Sequence, residues 1–408
     1  MRVLFCSPSR LDRTLGAPKV IMELAEGLRT LGVECDLIGP AEIVEGLIDA
    51  RHDPVRYAAA LREYLHKHAV DYDVVDYDHD YLPYDRSEFP AQTLMVARSV
   101  LLHYHFQDIR LPQPRNPRAV ARRLVRRLLS AKSRAEQRRR TDRTVQQADL
   151  FLTLNHHDRQ TLVRYGFDGR KIVVVGVGLH PQRLKELSEV SVEREALPTI
   201  AFVGTFDYRK GCLDMPRIAQ IVIGAIPDAR LRLIGTAGLF ETAEQVRGHF
   251  PRRLRSRIEV FPRFDPAELP SLLEPCSAGF FPSYIEGFGF GVLEMLAAGL
   301  PVVAYDAPGP PEMLSSRWLV RRGDAAGMAR RLIELLRDSQ NLAQHRIDAR
   351  NLAGTFTWAR CAEQTLAAYQ NARASKTPAA HTVLNPHDSP GPSEAWPQSL
   401  AAEQPSHV

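Results

Sequence analysis

Twice along this 408-residue chain, apolar runs of four or five residues alternate with longer segments whose apolar residues recur at helical spacing, and that rhythm dictates parallel sheets. Parallel neighbours cannot be joined by a tight turn; each pair needs a crossover, usually a helix. In the first run the strand candidates are Arg2 to Cys6, Cys35 to Ile38, Asp73 to Tyr77, Thr93 to Ala97, Leu150 to Leu154 and Ile172 to Val175, with a helical segment from Val20 to Leu31 in the opening βαβ unit. The second run has Thr199 to Val203, Leu231 to Ile234, Ile258 to Phe261, Ala278 to Phe281 and Val302 to Tyr305, then an amphipathic segment from Met328 to Leu336. Between the runs, Ser188 to Glu195 is polar and aperiodic and leads to Pro198. A chain this long exceeds one ordinary core. The expected architecture is therefore α/β, with two doubly wound, Rossmann-like parallel-sheet domains facing a cleft, residues 1–190 and 191–355. A helix within 356–374 ends the folded part, and 375–408, rich in Pro, Ala, Ser and His without an apolar period, reads as a disordered tail.

Composition narrows function mostly by exclusion. The five cysteines, Cys6, Cys35, Cys212, Cys276 and Cys361, are far apart and form no C-x-x-C or Cys/His cluster, which argues against a disulfide framework or a zinc site. No stretch approaches the ~20 apolar residues that span a bilayer, and MRVLFCSPSR is too short an apolar run for a secretory leader. The expected location is cytoplasmic. The formal charge of +5 is concentrated in a basic segment, 115–143, where Val120, Leu124, Val125, Leu128 and Leu129 share a helical face. Such a helix suits docking on the first domain, the preferred reading, or peripheral contact with an anionic membrane face. With no RNA or DNA motif beside the charge, nucleic acid is not an expected partner. The acidic run Asp71 to Asp85 offers hard oxygen ligands, but its core alternates like a strand and the rest reads as a solvated or acceptor-facing loop. No metal and no other cofactor is expected.

The densest chemistry lies in FPSYIEGFGFGVLEMLAAGLPVVAYDAPGPPE, Phe281 to Glu312. A strand leads into a loop with Gly287, Gly289 and Gly291, then a helix from Val292 to Ala298, a C-cap glycine at Gly299 and another strand. Glycines let the backbone approach a ligand, and the helix mouth offers unpaired N–H groups with a partial positive charge, together an anion site. Glu286 in the loop and Glu294, expected in the first helical turn, offer two carboxylates suited to vicinal hydroxyls. A second segment, AFVGTFDYRKG, Ala201 to Gly211, is a strand and a turn with adjacent cations at Arg209 and Lys210.

These motifs resemble glycosyltransferase family 4, whose signature is E-x7-E and whose fold is GT-B. GFGFGVL between Glu286 and Glu294, the trailing AAGLPVVA, and Pro311 with Glu312 carry the likeness. The resemblance implies a retaining hexosyltransferase that takes its sugar from a UDP- or GDP-sugar and passes it to an acceptor hydroxyl. It places Glu286 near the transferred sugar, Glu294 on the ribose, the backbone of Gly287, Phe288 and Gly289 at the sugar and phosphate, and Lys210 with Arg209 on the diphosphate. Gly204 and Thr205 fall at the end of that first strand, and Thr205 stands where many members carry an arginine. In the first half, Gly16 and Ala17 occupy the place of a Gly-Gly loop near the donor. ADLFLTLNHHDRQTLVRYGF matches the last strand and helix of that domain, with Asn155 in place of a common serine.

Members often place a histidine at a central strand end near the sugar. In VARSVLLHYHF the candidates are His103 and His105, while spacing also allows Arg98 and Ser99 at that end. The implied partners are a nucleotide-sugar donor and an acceptor that is polysaccharide, lipid-linked or a small metabolite. Two other classes fit parts of the pattern. One is an NAD-dependent oxidoreductase, because Asp306 follows the glycines at ribose-binding distance, though the third glycine is misplaced for G-x-G-x-x-G. The other is a non-catalytic sugar-nucleotide binding protein.

Overall fold

A computed structural model describes residues 1–12, 16–113, 125, 131–192 and 198–376. Two six-stranded sheets account for the architecture, and every pairing within them is parallel. The first contains β1 (Arg2–Cys6), β2 (Glu34–Ile38), β3 (Val74–Asp78), β4 (Leu94–Arg98), β5 (Leu150–Thr153) and β6 (Ile172–Val174), in the order β2-β1-β3-β4-β5-β6. The second contains β7 (Thr199–Val203), β8 (Arg230–Ile234), β9 (Ile258–Phe261), β10 (Ala278–Phe281), β11 (Val302–Asp306) and β12 (Leu319–Arg321), in the order β12-β11-β10-β7-β8-β9. Described helices of eight residues or more are α1 (Gly16–Thr30), α2 (Pro54–His68), α3 (Ala131–Gln147), α4 (His156–Arg164), α5 (Pro181–Ser188), α6 (Met215–Ala225), α7 (Phe290–Ala297), α8 (Ala325–Arg337), α9 (Ser339–Gly354) and α10 (Trp358–Lys376).

Each central strand is buried on both faces, which is why it reads as a continuous apolar run. Alternate residues feed two cores. Val3, Phe5, Val74, Leu94 and Val96 pack toward α1 and α10, whereas Leu4, Cys6, Val75, Tyr77, Met95 and Ala97 pack toward α2. The five cysteines lie buried within these layers and form no disulfide. Among the described residues no helix is long and apolar enough to cross a membrane.

Two elements tie the halves together. Leu179 N–H donates to Phe356 O at 3.1 Å where the chain passes between the sheets. From there α10 returns to the first sheet and lies across α1. Gly27 makes that crossing close: a Cβ there would come within 2.9 Å of Ala362 Cβ. A glycine inside a helix costs roughly 0.5–1 kcal/mol against alanine, and the close approach of the two helices offsets it. Farther along, the Tyr369 hydroxyl donates to Asp76 Oδ2 at 2.5 Å, beside the buried Arg98–Asp76 pair at 2.7 Å. Lys376 Nζ bonds Asp149 at 2.7 Å, so the helix extends past the expected end at 374. The tail beyond it, 377–408, lies outside the described residues, as do 115–124 and 126–130 of the basic segment.

Packing also differs from the sequence reading around the join. α5 contacts α7 and the short helix Leu269–Leu273, so the second sheet's helical layer takes in residues ahead of position 191. β12 was not expected: two half-buried residues and an exposed arginine at a sheet edge carry too little apolar pattern to announce a strand.

Candidate active site

β7 and β10 are neighbours in the second sheet, yet the chain leaves β7 for β8 and reaches β10 only after β9. Their connections diverge at the carboxyl ends of the two strands, the usual ligand position in an open α/β sheet. The loop after β7 carries Gly204, Thr205, Arg209 and Lys210; the loop after β10 carries Ser283, Glu286 and the glycines. The structure binds them to one another. Tyr284 N–H donates to Arg209 O at 2.8 Å, and the Arg209 guanidinium donates to Ile285 O at 2.9 Å. Gly211, at φ +78°, lets the first loop lie on Pro282, whose carbonyl oxygen a Cβ would meet at 2.1 Å.

At the centre of this contact Lys210 Nζ lies 2.7 Å from Glu286 Oε1 and Arg209 3.5 Å from the same oxygen, which also accepts from the Ser283 hydroxyl. Burial works against the Glu286 carboxylate, but the charges of Lys210 and Arg209 outweigh it and hold its pKa below the usual range. For Lys210 burial dominates and lowers the ammonium pKa despite Glu286. Two cations thus face the Glu286 carboxylate, with Asp207 a second acid in the same turn, its Oδ1 accepting from Lys210 N–H at 3.0 Å. Beside it α7 starts after Gly289, which sits at φ +101° and supplies no side-chain cap, so first-turn N–H groups remain for an anion. Lys210 and the Gly287 turn are thus adjacent. Gly204, at φ +148°, sits against the same lysine, its Cβ position 3.9 Å from Lys210 Cε. Thr205 donates to Asp207 Oδ2 at 2.7 Å.

Glu294 corrects the expectation of a first-turn residue. α7 begins at Phe290 rather than Val292, which places Glu294 in the second turn. The misreading came from Gly291, which looks like loop but lies inside the helix. A Cβ at that position would meet Val203 O at 2.2 Å, so glycine is there for packing on β7. Glu294 Oε1 lies 3.3 Å from the Arg183 guanidinium on α5. Gly309, at φ +101°, braces the loop from behind, where a Cβ would sit 2.5 Å from Phe288 O and 3.1 Å from Glu286 Cβ. Phe288 is buried, with its ring edge-on to Phe356 at 5.8 Å.

The first domain closes directly on this loop. Asn155 N-caps α4 through Oδ1, accepting from Asp158 N–H at 2.8 Å, and spends its amide on Gly287 O at 2.6 Å. One side chain thus serves a local cap and an interdomain contact. Opposite, a Cβ on Gly287 would lie 1.8 Å from Val100 O. His156 adds a third link, from N–H and Nδ1 to the two Glu312 oxygens, each at 2.8 Å. Asn155 was legible only as a departure from the family's serine, and nothing local in the sequence announced Arg183, Ser283 or Gly309 as members of this site.

The histidine candidates separate. His105 is buried with Nε2 2.6 Å from Asp158 Oδ1. His103 is half-buried with its pKa lowered by burial, and its Nε2 makes no hydrogen bond among the described residues. β4 ends at Arg98, which is committed to Asp76, so Ser99 is the first residue beyond the strand, buried, with a hydroxyl that makes no hydrogen bond among the described residues. Gly16 opens α1. In the acidic run, Asp78, His79 and Asp80 form one of two groups of possible metal ligands among the described residues; Glu23, Glu26 and His180 form the other. Asp78 and Asp80 are largely engaged, by Asp80 N–H, Thr141 and Gln137. Burial opposes charge on His79, but Asp80 and Asp78 outweigh it and raise its pKa to about 9.

Residues 197–338, which include the loops after β7 and β10, match the family model of glycosyl transferases group 1. A D-inositol 3-phosphate glycosyltransferase of Corynebacterium diphtheriae is 27% identical over 248 residues, 56% of this chain and 57% of that protein. The chain spans 50–59% of the length of three such relatives. The sucrose-phosphate synthase structure from Thermosynechococcus elongatus superposes with a TM-score of 0.68 at 16% identity, covering 92% of this chain and all of that one. The Anabaena HepE structure solved with UDP-glucose gives 0.59 at 16%, covering 91% and all of that chain. The fold is GT-B.

Proposed function

We propose that this protein is a retaining glycosyltransferase, of the family 4 type, that moves a hexose from a UDP- or GDP-sugar to an acceptor hydroxyl. The observation that carries the proposal is the Lys210–Glu286 contact at the mouth of the Gly287–Gly289 loop and α7. A donor diphosphate at that mouth meets the Lys210 ammonium, the Arg209 guanidinium and the first N–H groups of α7. The charge that develops on its β-phosphate as the sugar leaves is stabilised by groups already in place. Glu286 lies beside the sugar and Glu294 holds the ribose. The match of residues 197–338 to group 1 glycosyl transferases supports this reading, as does the similarity to a fold solved with UDP-glucose in HepE.

In the transfer the acceptor oxygen bonds the anomeric carbon as the bond from that carbon to the phosphate oxygen breaks. The departing phosphate takes the acceptor proton, so attack occurs on the face that the leaving group vacates and configuration is retained. No metal enters this scheme. The first domain supplies the acceptor side, and the contacts of Asn155 and Val100 with the loop and of His156 with Glu312 keep out water that would hydrolyse the donor.

One observation favours a second reading. Asp306 stands at the end of β11, directly after the glycine loop and helix, as a ribose-binding acid of an NAD-dependent oxidoreductase would. A thermal-shift screen separates the two. Stabilisation by UDP, GDP or their sugars, with none by NAD or NADH, is expected. Stabilisation by the dinucleotides alone overturns the transferase, and donor binding with no release of nucleoside diphosphate at any acceptor leaves a binding protein.

A further inference from the structure

The geometry points to Arg183 as the residue that orients Glu294 toward the nucleotide ribose and so gives the site its preference for ribonucleotides over deoxyribonucleotides. This inference rests on the reading above that Glu294 meets the ribose. Arg183 is not part of the glycine loop, of the cationic turn or of α7. It lies on α5, in the stretch where the chain passes from one sheet to the other, 111 residues away from its partner. Its side chain is only 10% exposed, an unusual place for a guanidinium without a specific task.

Three contacts fix it. One amino group lies 3.3 Å from Glu294 Oε1; the other donates to Pro266 O, in the loop that follows β9, and lies 3.8 Å from Glu186 on its own helix. The planar fork of arginine thus joins the β9 loop to α7, the two walls that would flank a nucleoside seated at the carboxyl ends of β8 and β9. Only one Glu294 oxygen is used. Among the described residues no hydrogen bond is made to Oε2, and the side chain remains 18% exposed. A carboxylate anchored through one oxygen has fewer rotamers open to it and keeps the other oxygen available, which lowers the entropic cost of recognising a pair of vicinal hydroxyls. Without Arg183 the glutamate is free to turn toward solvent, and a nucleotide lacking a hydroxyl loses little by comparison.

α5 is also well placed to be rigid. His180 caps it, accepting from Gln182 N–H at 3.3 Å, and Pro181 opens it. Immediately before the cap, Leu179 is tied to Phe356. The orientation of Glu294 therefore depends on the segment that joins the two halves and not on α7 alone.

The test is calorimetry of the whole protein with UDP and 2′-deoxy-UDP, or with the GDP pair if GDP is the nucleotide that binds, using inorganic pyrophosphate as control. The native protein is expected to favour the ribonucleotide by about tenfold or more, as for hydrogen bonds to a charged group. Arg183→Ala should bring the two affinities within about threefold while pyrophosphate binding stays unchanged. Arg183→Lys, which cannot reach both Glu294 and Pro266 O, should fall between, and it carries the measurement if the alanine variant does not fold. If Glu294→Ala loses the preference and both Arg183 variants keep it, the orienting role is wrong and the ribose assignment stands. If Glu294→Ala itself keeps the preference, the ribose assignment fails and this inference fails with it.

Discussion

Replacing Lys210 by methionine separates two roles that the contact with Glu286 superimposes. In the folded protein Lys210 Nζ is 2.7 Å from a carboxylate that is only 7% exposed. Removing one partner of a buried ion pair costs ~3–5 kcal/mol, because the other charge is left uncompensated. Arg209 at 3.5 Å and the Ser283 hydroxyl still serve that oxygen. The low end, about 3 kcal/mol, is therefore expected, a fall in Tm of roughly 6–12 °C for a domain of this size. Catalysis should fall by about 10²–10³-fold, the usual effect of losing one preorganised group that stabilises developing charge. The double variant Lys210→Met with Glu286→Gln distinguishes the causes. With both charges gone the desolvation penalty disappears and most of the lost stability should return, whereas turnover should not. Thermal denaturation and the rate of nucleoside diphosphate release from the donor found by screening measure the two quantities. Turnover in Lys210→Met within about threefold of native, or turnover restored in the double variant along with stability, would refute the diphosphate role.

Gly287→Ala tests domain closure: with Val100 O only 1.8 Å from the new Cβ, the halves must part, and a misplacement of ~1 Å can cost about 10²-fold in rate. Lost activity with each domain's unfolding transition preserved and a larger radius of gyration in solution scattering is the expected result; unchanged turnover contradicts it. The second test concerns pH. His79 has a folded pKa raised from 6.5 to about 9, so its stabilising effect is complete below pH ~6.5 and is lost as pH rises through 9. Denaturant unfolding of His79→Gln should show a deficit against the native protein that shrinks across that interval, and a deficit independent of pH would show that His79 is not held as an imidazolium.

Sequence alone revealed the parts of the fold whose signals are local. β1, β7, β9 and β10 begin and end where their apolar runs do, because the run and the residues that stop it are both local signals. The loop–helix unit at Gly287–Gly289 was visible for the same reason. Where one residue type answers to two causes the reading slipped. Gly289 is needed for a positive φ and Gly291 for packing against β7, and without the neighbouring strand the two are indistinguishable, which displaced Glu294 by half a turn. Long-range partners were hidden altogether. Asn155 meets Gly287 across 132 residues, and Arg183 meets Glu294 across 111; the pattern around Asn155 marks a strand and helix but not its partner, and no pattern marks Arg183. His105 stood out by residue type, but its bond to Asp158 is a tertiary fact.

The return of α10 to the first sheet sets an order of assembly. During synthesis the N-terminal half emerges long before its own last layer does. Until Ala362 and Tyr369 leave the ribosome, Gly27 faces solvent along an open helix seam, and the Arg98–Asp76 pair lacks its phenol. The half made first is therefore the half completed last, and it must persist unsealed while the other sheet is translated and folds between its two parts.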